Sequence, residues 1–354
     1  IMEQSPLQPT PVGAFRFNID TACLEYYDGN EWVAVISTSP EAQTGGTRGV
    51  MGGGDNPGSP GQTHTIDYIN ISSAGNAADF GDLTTGGNAG SGGREYLAQG
   101  SQASRTRCIF AGGQGFPSPN NETNAVDYIT MSSTGNATDY GDLINSTGSH
   151  SSFSSETRGV VVGGNDAPTG TVNTIQYTTI ATTGNYVDFG GDVPNANGNG
   201  CGVASLTRGV VNEGSNDSNT LNYITIATTG VNASDFGDSP YKSRSNQCAG
   251  GNAIRSVFGG GGTPSPGVKS MYYITIAALG NGTDFGDLTA ETNGAAAPSS
   301  STRVVFTGGK RANSFSVTCD YVQISTTGNA ADFGDLTSAR MVMGYGSNGH
   351  GGLG

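Results

Sequence analysis

The stretch STTGNAADFGD, residues 325–335, decides the fold because close variants of it occur five more times in the chain. The copies end in DFGD at 79–82, DYGD at 139–142, DFGGD at 188–192, and DFGD at 235–238, 284–287 and 332–335. They follow one another at about 48 residues, with one longer first interval. A period of roughly 40 to 50 residues built on short apolar segments is typical of small repeated β-sheets. The spacing therefore predicts sheets rather than pairs of helices.

Two further marks keep the same order in every copy. The first mark is an arginine followed by an apolar segment, which ends in Gly-Gly in five copies and in Glu213-Gly214 in the fourth. The second mark is a tyrosine about twelve residues before the aromatic residue of the acidic motif. The arginine segments are TRGVMGGG, TRCIFAGG, TRGVVVGG, TRGVVNEG, IRSVFGGGG and TRVVFTGG, and the tyrosines are Tyr68, Tyr128, Tyr177, Tyr223, Tyr273 and Tyr321. Alternating apolar segments of this length predict strands.

This order of marks resembles the kelch repeat over residues 47–354, with Phe or Tyr where kelch repeats usually carry Trp. The resemblance implies a kelch-like β-propeller with one sheet, or blade, for each of the six copies. The first copy lacks a strand just before Thr47, but RMVMGYGSNGH at 340–350 follows the last copy. Its Arg340, Gly346 and Ser347 align with Arg94, Gly100 and Ser101.

We therefore expect an all-β chain with a small N-terminal β-module in residues 1–45 and a six-bladed propeller in residues 46–354. The C-terminal strand should pair with the first blade and close the propeller. Closure would remove the exposed strand edges that favour aggregation.

The Thr-Gly-Asn of the repeated motif reads as a tight turn between two strands of a blade, because Gly and Asn tolerate the left-handed backbone region. The following Asp is expected to accept hydrogen bonds from local amides, and the Phe or Tyr to fill the gap between blades. The alternative is a ring of Asp pairs that binds Ca²⁺, which needs several converging oxygen ligands.

Composition excludes several classes of partner. The chain has 59 glycines, only 12% charged residues and a formal net charge of −14, so it should repel phosphate backbones and anionic lipid headgroups. No apolar run approaches the ~18 residues of a membrane span. The cysteines are five in number, lack CxxC spacing and are expected to be reduced, packed thiols. Because the chain begins at Ile1 rather than Met, we expect its start to be trimmed or incomplete.

The leading segment, PVGAFRFNIDTACLEYYDGNEWVAVIS at 11–37, has three short alternating stretches with a turn at Asp28-Gly29-Asn30. Its pattern, G-x-x-R-F-N followed by L-E-x-Y-D-G and W-V, resembles a segment at the base of structural and fibre proteins of tailed bacteriophages, notably those of cyanobacteria. Repeats of the TRGVxxGG and TTGNAxDFGD type also occur in such proteins. The resemblance implies a virion component, namely a tail or capsid appendage, a fibre or a decoration, which is assembled in the host cytoplasm and whose leading module attaches to other virion proteins. Homo-oligomerisation on the particle is left open.

The residues expected to make that attachment are Phe15, Phe17, Tyr26, Tyr27 and Trp32. The alternative is a β-hairpin that merely packs on the propeller with Trp32 in its core.

The sequence shows no catalytic set. His64, His150 and His350 have no zinc-binding spacing and are expected to be solvated. Kelch-fold oxidases hold copper with Tyr, His and a crosslinked Cys, and nothing here assembles such ligands. Six equal acidic motifs also argue against a glycosidase, which needs one carboxylate pair. We therefore expect a non-enzymatic protein without a metal or cofactor.

The copies differ most in the connections after Gly-Gly and after DFGD, which strand alternation places at one end of the propeller. Loops on a rigid scaffold commonly carry function. Side chains there that suit a host-surface glycan are Phe116, Asn120, Tyr241, Lys242, Arg244, Lys310 and Arg311. Two alternatives stay open: a secreted or surface lectin-like adhesin of cellular origin, and a carbohydrate-active enzyme with one carboxylate pair confined to a single blade.

Overall fold

A computed structural model describes residues 10–18, 23–34, 47–58, 61–84, 93–115, 121–166, 169–214, 218–241, 245–262 and 267–354. The chain divides into two compact units, Ile1–Gln43 and Thr44–Gly354. In the described residues all regular structure is β-strand, apart from one 3-10 turn at Gly351–Leu353. The predicted all-β class is confirmed. No helix in this part of the chain is long and apolar enough to cross a membrane.

The N-terminal unit is a three-stranded antiparallel sheet of β1 (Phe15–Asn18), β2 (Cys23–Tyr27) and β3 (Trp32–Ala34). The predicted turn between β2 and β3 is present, and the Asp28 carboxylate accepts the N–H groups of Asn30 and Glu31 at 2.7 and 2.8 Å. Local hydrogen bonds of this kind are the usual reason why Asp starts a turn.

In the second unit, the main strands of each copy of the repeat form one antiparallel sheet. The short strands at Thr147–Gly148, Asn165–Asp166 and Gly170–Thr171 form a separate small sheet, and those at Lys310–Arg311 and Ser314–Phe315 extend the sheet of repeat 5. Repeats 1 and 2 contain β4 (Arg48–Gly52), β5 (Thr65–Asn70) and β6 (Ala78–Asp82), and then β7 (Arg107–Ala111), β8 (Ala125–Thr130) and β9 (Thr138–Asp142). Repeats 3 and 4 contain β10 (Thr147–Gly148), β11 (Ser151–Ser154), β12 (Arg158–Val162), β13 (Asn165–Asp166), β14 (Gly170–Thr171), β15 (Thr174–Thr179) and β16 (Val187–Asp192), and then β17 (Gly202–Ala204), β18 (Arg208–Asn212), β19 (Thr220–Thr225) and β20 (Ser234–Asp238). Repeats 5 and 6 contain β21 (Cys248–Gly251), β22 (Arg255–Gly259), β23 (Val268–Thr275) and β24 (Thr283–Asn293), and then β25 (Arg303–Thr307), β26 (Lys310–Arg311), β27 (Ser314–Phe315), β28 (Thr318–Gln323) and β29 (Ala331–Asp335), and the C-terminal strand is β30 (Gly344–Ser347).

The main strands of each sheet follow chain order, as in β11-β12-β15-β16 of repeat 3. Repeat 1 is the exception, because its order is β30-β4-β5-β6. The pairing expected from the alignment of 340–350 is present, with Gly344 opposite Gly52 and Ser347 opposite Gly49. The C-terminal strand therefore completes the sheet that the first repeat begins.

The repeated motif joins each sheet to the next. The Asn of every Thr-Gly-Asn position accepts, at 2.9 to 3.1 Å, the N–H of the last Asp of the acidic motif in the preceding repeat. The series includes a bond from Asp335 of repeat 6 to Asn76 of repeat 1. The Thr-Gly-Asn segment is thus not the tight turn predicted from its composition. That turn lies earlier, where the Ser73 N–H bonds to the Asn70 carbonyl at 3.3 Å.

A matched pair of insertions fits this contact. Repeat 3 has an extra glycine in its acidic motif, DFGGD, and repeat 4 has an extra Val231 in TTGVN. The hydrogen bond from Asp192 N–H to Asn232 Oδ1 across the two insertions is still 3.0 Å. Because the extra residues face each other, the register of the contact is preserved.

The repeat arginines form the second contact between sheets. Each guanidinium lies over the tyrosine of its own repeat at 4.2 to 4.9 Å and donates to a backbone carbonyl of the next repeat. Arg303 of repeat 6 donates to the Ile71 carbonyl of repeat 1 at 3.3 Å. Each tyrosine also meets the aromatic of the acidic motif edge to face. The aromatic is buried in every repeat, and it shares a hydrophobic cluster with apolar residues of the next repeat, as Phe80 does with Ile129 and Met131. This is the expected gap-filling role.

The segments that lie beside the arginine strands in the sheets, here called the inner segments, converge from several repeats. Gly100 of repeat 2 pairs with Gly202 of repeat 4, and Ser101 pairs with Tyr345. The Tyr345 hydroxyl donates to the Ala249 carbonyl of repeat 5 at 2.8 Å. These contacts fill the space between the inner segments, and they explain why small residues predominate there.

The prediction that the three histidines are solvated is wrong for two of them. His64 is exposed, but His150 and His350 are buried. The His350 ring contacts the Ala103 carbonyl through Nε2 at 2.8 Å and accepts the Gly352 N–H through Nδ1 at 3.1 Å. These bonds hold the C-terminal 3-10 turn against repeat 2, a long-range role that the sequence pattern does not reveal.

The cysteines Cys108, Cys201, Cys248 and Cys319 are free and buried, and burial raises the pKa of Cys248 and of Cys319 to about 12. The side chain of Cys23 lies outside the described residues.

Acidification is expected to destabilise the second unit. Burial lowers the pKa of His150 and of His350 to about 4 from an ordinary 6.5, with smaller contributions from Arg94 and Arg105. Between these values the unfolded chain binds protons that the folded chain does not, so the free energy of unfolding falls as the pH drops from about 6.5 to 4. The loss should be of the order of 3 kcal/mol for each histidine.

Urea unfolding at stepped pH values measures this loss. Glu95 offsets part of it, because burial raises the pKa of its carboxyl to about 6. The variant His350→Asn should lose its share of the slope between pH 6.5 and 4. A slope unchanged by that variant would contradict a neutral, buried His350.

Candidate functional site: the variable-loop face

We define the variable-loop face as the connections that follow the Gly-Gly positions and the acidic motifs. In a meander of antiparallel strands these two sets of loops share one end of the sheets, as the sequence predicts. Backbone hydrogen bonds join the two sets of loops, because the N–H of the second glycine of the pair donates to a carbonyl in the segment after an acidic motif. Gly54 donates to the Arg94 carbonyl, and Gly309 donates to the Arg340 carbonyl, both at 2.7 Å. The loops are therefore held against one another rather than standing separately.

Three buried ion pairs support this face. Arg340 contacts Asp67 at 2.7 Å, Arg311 contacts Asp320 at 3.0 Å, and Arg94 contacts Asp127. A threonine after the acidic motif of the preceding repeat also donates to each Asp: Thr337, Thr289 and Thr84. The threonine bonds link neighbouring repeats beneath the loops. The ion pairs of Arg94 and Arg311 lie within repeats 2 and 6, and that of Arg340 joins the C-terminal segment to repeat 1.

The seven residues predicted to contact a ligand at this face lie in different environments. Arg311 is turned inward, because its guanidinium is bonded to Asp320, to Thr289 Oγ1 at 2.9 Å and to the Thr318 carbonyl. Its side chain is only 10% exposed, so little of it reaches the rim of the face. The remaining predicted residues Phe116, Asn120, Lys242 and Arg244 lie outside the described residues.

Lys310 and Tyr241 stay at the face and are half-buried. The Lys310 ammonium lies 5.4 Å from the centre of the Phe315 ring. The Tyr241 hydroxyl donates to Asp284 of the next repeat at 3.0 Å. The structure does not bring these two side chains into one group of contacts.

Sequence reasoning missed a network of amides and acids on repeats 1 and 2. Gln62 donates to Glu95 at 2.8 Å, and Gln114 donates to Glu122 at 2.8 Å. Burial raises the pKa of Glu95 to about 6 and also raises the pKa of Asp55, a shift that nearby Lys310 opposes. These residues differ between repeats, which is the one signal that could have identified them. They can accept hydrogen bonds from sugar hydroxyls.

The opposite end of the sheets is less uniform than the repeated motifs indicate. Repeats 3 to 5 expose large apolar side chains at or beside its loops: Val187, Leu206, Val231, Ile254 and Leu279. Exposed large apolar side chains are therefore more frequent at this end, since the described residues of the variable-loop face include one, Ile144.

In the N-terminal unit, the five predicted attachment residues lie on two faces. Phe15 opposite Tyr26 and Phe17 opposite Leu24 form one exposed apolar face. Phe15 and Phe17 are 67% and 62% exposed, which is unusual for aromatic side chains.

Tyr27 and Trp32 lie on the other face of that sheet. Their rings are 5.5 Å apart, and Arg16 lies over Trp32 at 4.3 Å while it pairs with Glu25 at 2.7 Å. These two aromatics stabilise the module itself, so the exposed face is left to Phe15, Phe17 and Tyr26.

No family model matches this chain, and no curated protein matches it. Among the described residues, no group of three or more His, Cys, Asp and Glu side chains is placed to hold a metal ion.

Proposed function

We propose that this chain is a non-enzymatic virion structural protein of a tailed phage, in which a closed six-bladed propeller displays the variable-loop face toward a host-surface glycan. The propeller is closed by its C-terminal strand, and the N-terminal module attaches it to other virion proteins. The role needs no cofactor, nucleic acid or membrane insertion. The phage assignment rests on the sequence resemblance of residues 11–37 and of the repeats.

The observation that carries the display role is the cyclic set of contacts between repeats. Hydrogen bonds from acidic motif to asparagine and from arginine to carbonyl each run through all the repeats and from repeat 6 back to repeat 1. Such closure removes free sheet edges and gives rigidity without a large apolar core. A rigid scaffold with one diversified set of loops suits a recognition surface.

The attachment role is supported by the N-terminal sheet. A three-stranded sheet of this size buries little, and its exposed aromatic face is the kind of surface that a protein partner covers. Because Phe15, Phe17 and Tyr26 lie on that face, they are the expected contacts.

Purified particles test the virion assignment. Phage particles banded on a density gradient should contain this chain at a stoichiometric copy number by mass spectrometry, and mild protease should remove it without disrupting the head. Recovery only from the secreted or cell-surface fraction would favour the cellular adhesin and overturn the proposal.

The double variant Phe15→Ser, Phe17→Ser should reduce incorporation into particles at least tenfold, because it removes two exposed apolar contacts. Thermal unfolding of the second unit should be unchanged. The control Leu279→Ser exposes a comparable change in repeat 5 and should leave incorporation intact. Normal incorporation of the double variant would place the attachment surface elsewhere.

One observation favours a second candidate, a glycoside hydrolase. The pKa of Glu95 is raised to about 6 by burial, with a contribution from the charge of Asp55. Neither carboxyl group belongs to the repeated motifs. Glycosidases use one protonated and one ionised carboxyl group. Turnover of a polysaccharide panel that Glu95→Gln abolishes would establish this function, whereas binding without turnover supports display.

A further inference from the structure

Repeat 4 departs from the other repeats at one position on the variable-loop face. The first glycine of the pair has φ between 58° and 67° in the other five, and a Cβ there would lie 2.4 to 2.7 Å from a backbone carbonyl oxygen. A side chain is therefore excluded at these positions, which are Gly53, Gly112, Gly163, Gly260 and Gly308. In repeat 4 the position is Glu213, which is not among the residues of positive φ. The local backbone differs, and a carboxyl group is placed where the other repeats have none.

The Glu213 carboxylate is buried, and the residue is 3% exposed. Its Oε1 accepts from the side-chain amides of Asn195 at 3.1 Å and of Asn222 at 3.0 Å. Within the described part of the chain it makes no ion pair with Lys, Arg or His. A buried carboxylate with two neutral donors carries a large desolvation cost unless a positive charge is supplied.

Glu213 lines a small polar pocket. The pocket is also lined by Asn219, Ser239, Tyr241 and Gln247. The volume open to the centre of a water-sized group is about 10 Å³, which is room for about one such group. The lining residues carry carboxylate, amide and hydroxyl oxygens, and such oxygens are acceptors for a cation or an N–H donor. The Gln247 side-chain oxygen already accepts from Asn212 and Tyr272.

We propose that this pocket binds a monovalent cation of water size, either free K⁺ or NH₄⁺ or the ammonium group of a larger ligand, with Glu213 as its charged ligand. One carboxylate matches one positive charge. Ca²⁺ sites usually use several carboxylates, whereas Glu213 is the one carboxylate among the described residues that line this pocket. The proposal does not depend on the display role.

Thermal unfolding of the full chain in different chloride salts at equal ionic strength tests the proposal. KCl or NH₄Cl should raise the midpoint above that in tetramethylammonium chloride, whose cation is too large for the pocket. At a cation concentration ten times Kd, the unfolding equilibrium constant should fall about elevenfold.

Two variants should abolish the difference between salts. Glu213→Gln removes the charge at nearly constant shape, and Glu213→Gly restores the residue that five repeats carry and should therefore fold. The matched control Glu291→Gln changes an exposed glutamate of repeat 5 and should keep the difference.

Crystals soaked in Rb⁺ should show an anomalous peak beside Glu213. Thermal unfolding in methylammonium chloride distinguishes a free ion from the ammonium group of a larger ligand. Stabilisation by both K⁺ and methylammonium, or by K⁺ alone, supports a free ion. Stabilisation by ammonium and methylammonium without K⁺ supports an amine-bearing ligand such as an amino sugar. If no salt differs from tetramethylammonium chloride, or if Glu213→Gln keeps the difference, no cation binds at Glu213 and the proposal is wrong.

Discussion

Replacing Arg340 with methionine is expected to destabilise the second unit by about 3 to 5 kcal/mol, the usual cost of breaking a buried ion pair. The Arg340 guanidinium is fully buried, pairs with Asp67 at 2.7 Å and donates to the Gly53 and Thr65 carbonyls at 3.1 and 2.6 Å. Methionine fills similar space but leaves the Asp67 charge without a cation. Because Arg340 precedes the C-terminal strand and Asp67 lies in β5, the loss reports on the contact between the two ends of this unit.

Urea unfolding of three variants separates this effect from a simple packing defect. The double variant Arg340→Met, Asp67→Asn should recover part of the loss, since repeat 4 accommodates Asn222 at the position that matches Asp67. Lys269→Met breaks an exposed ion pair with Asp287 and should cost less than about 1 kcal/mol. An Arg340→Met variant no less stable than Lys269→Met would show that the C-terminal segment does not dock on repeat 1.

Gly100→Ala is expected to cost about 3 kcal/mol or more, because it combines backbone strain with overpacking. Gly100 has φ of 137°, and a Cβ there would lie 1.7 Å from the Ser152 carbonyl oxygen and 2.8 Å from that of Gly202. Both obstacles are backbone atoms of neighbouring repeats, so no side chain can move aside. The variant forces apart the inner segments of repeats 2, 3 and 4.

Gly75→Ala is the matched control. Gly75 lies in Ala74-Gly75-Asn76, which is the Thr-Gly-Asn position of repeat 1. A Cβ there would meet no atom within 4 Å, and its φ is outside the positive range. Its replacement should change the free energy of unfolding by no more than about 0.5 kcal/mol. Equal effects of the two alanines in thermal or urea unfolding would mean that the inner segments do not converge at Gly100.

Much of the fold could be predicted because it is written in local patterns that occur repeatedly. The strand of each arginine segment, the tyrosine strand and the acidic motif keep their order, and the alignment of Arg340 with Arg94 correctly placed the C-terminal strand. The paired insertions at Gly191 and Val231 are a further signal in the sequence, since an extra residue on one side of a contact needs one on the other. That signal identifies the contact between repeats without any coordinates.

The errors come from contacts that are distant in sequence. Turn propensity placed a hairpin at Thr-Gly-Asn, yet the asparagine bonds to the preceding repeat, about 40 residues earlier in the chain. His150 and His350 stand in polar stretches that read as solvated loops, but the convergence of the repeats buries them. Local composition carries no information about which polar segments meet.

The candidate site was only partly predictable for the same reason. Variation between repeats correctly identified the end of the sheets that carries diversified loops, but not which side chains there remain available. Glu213 was visible as the single break in the glycine pair. Its burial and its lack of a described cationic partner depend on how the amides of Asn195 and Asn222 are placed, which the pattern does not give.

An experimental density map of the full chain tests the central claim most directly. The account predicts six antiparallel sheets in cyclic contact, with Gly344–Ser347 hydrogen-bonded to Arg48–Gly52 in the first of them. A C-terminal strand detached from β4, an open succession of sheets, or a number of sheets other than six would contradict it.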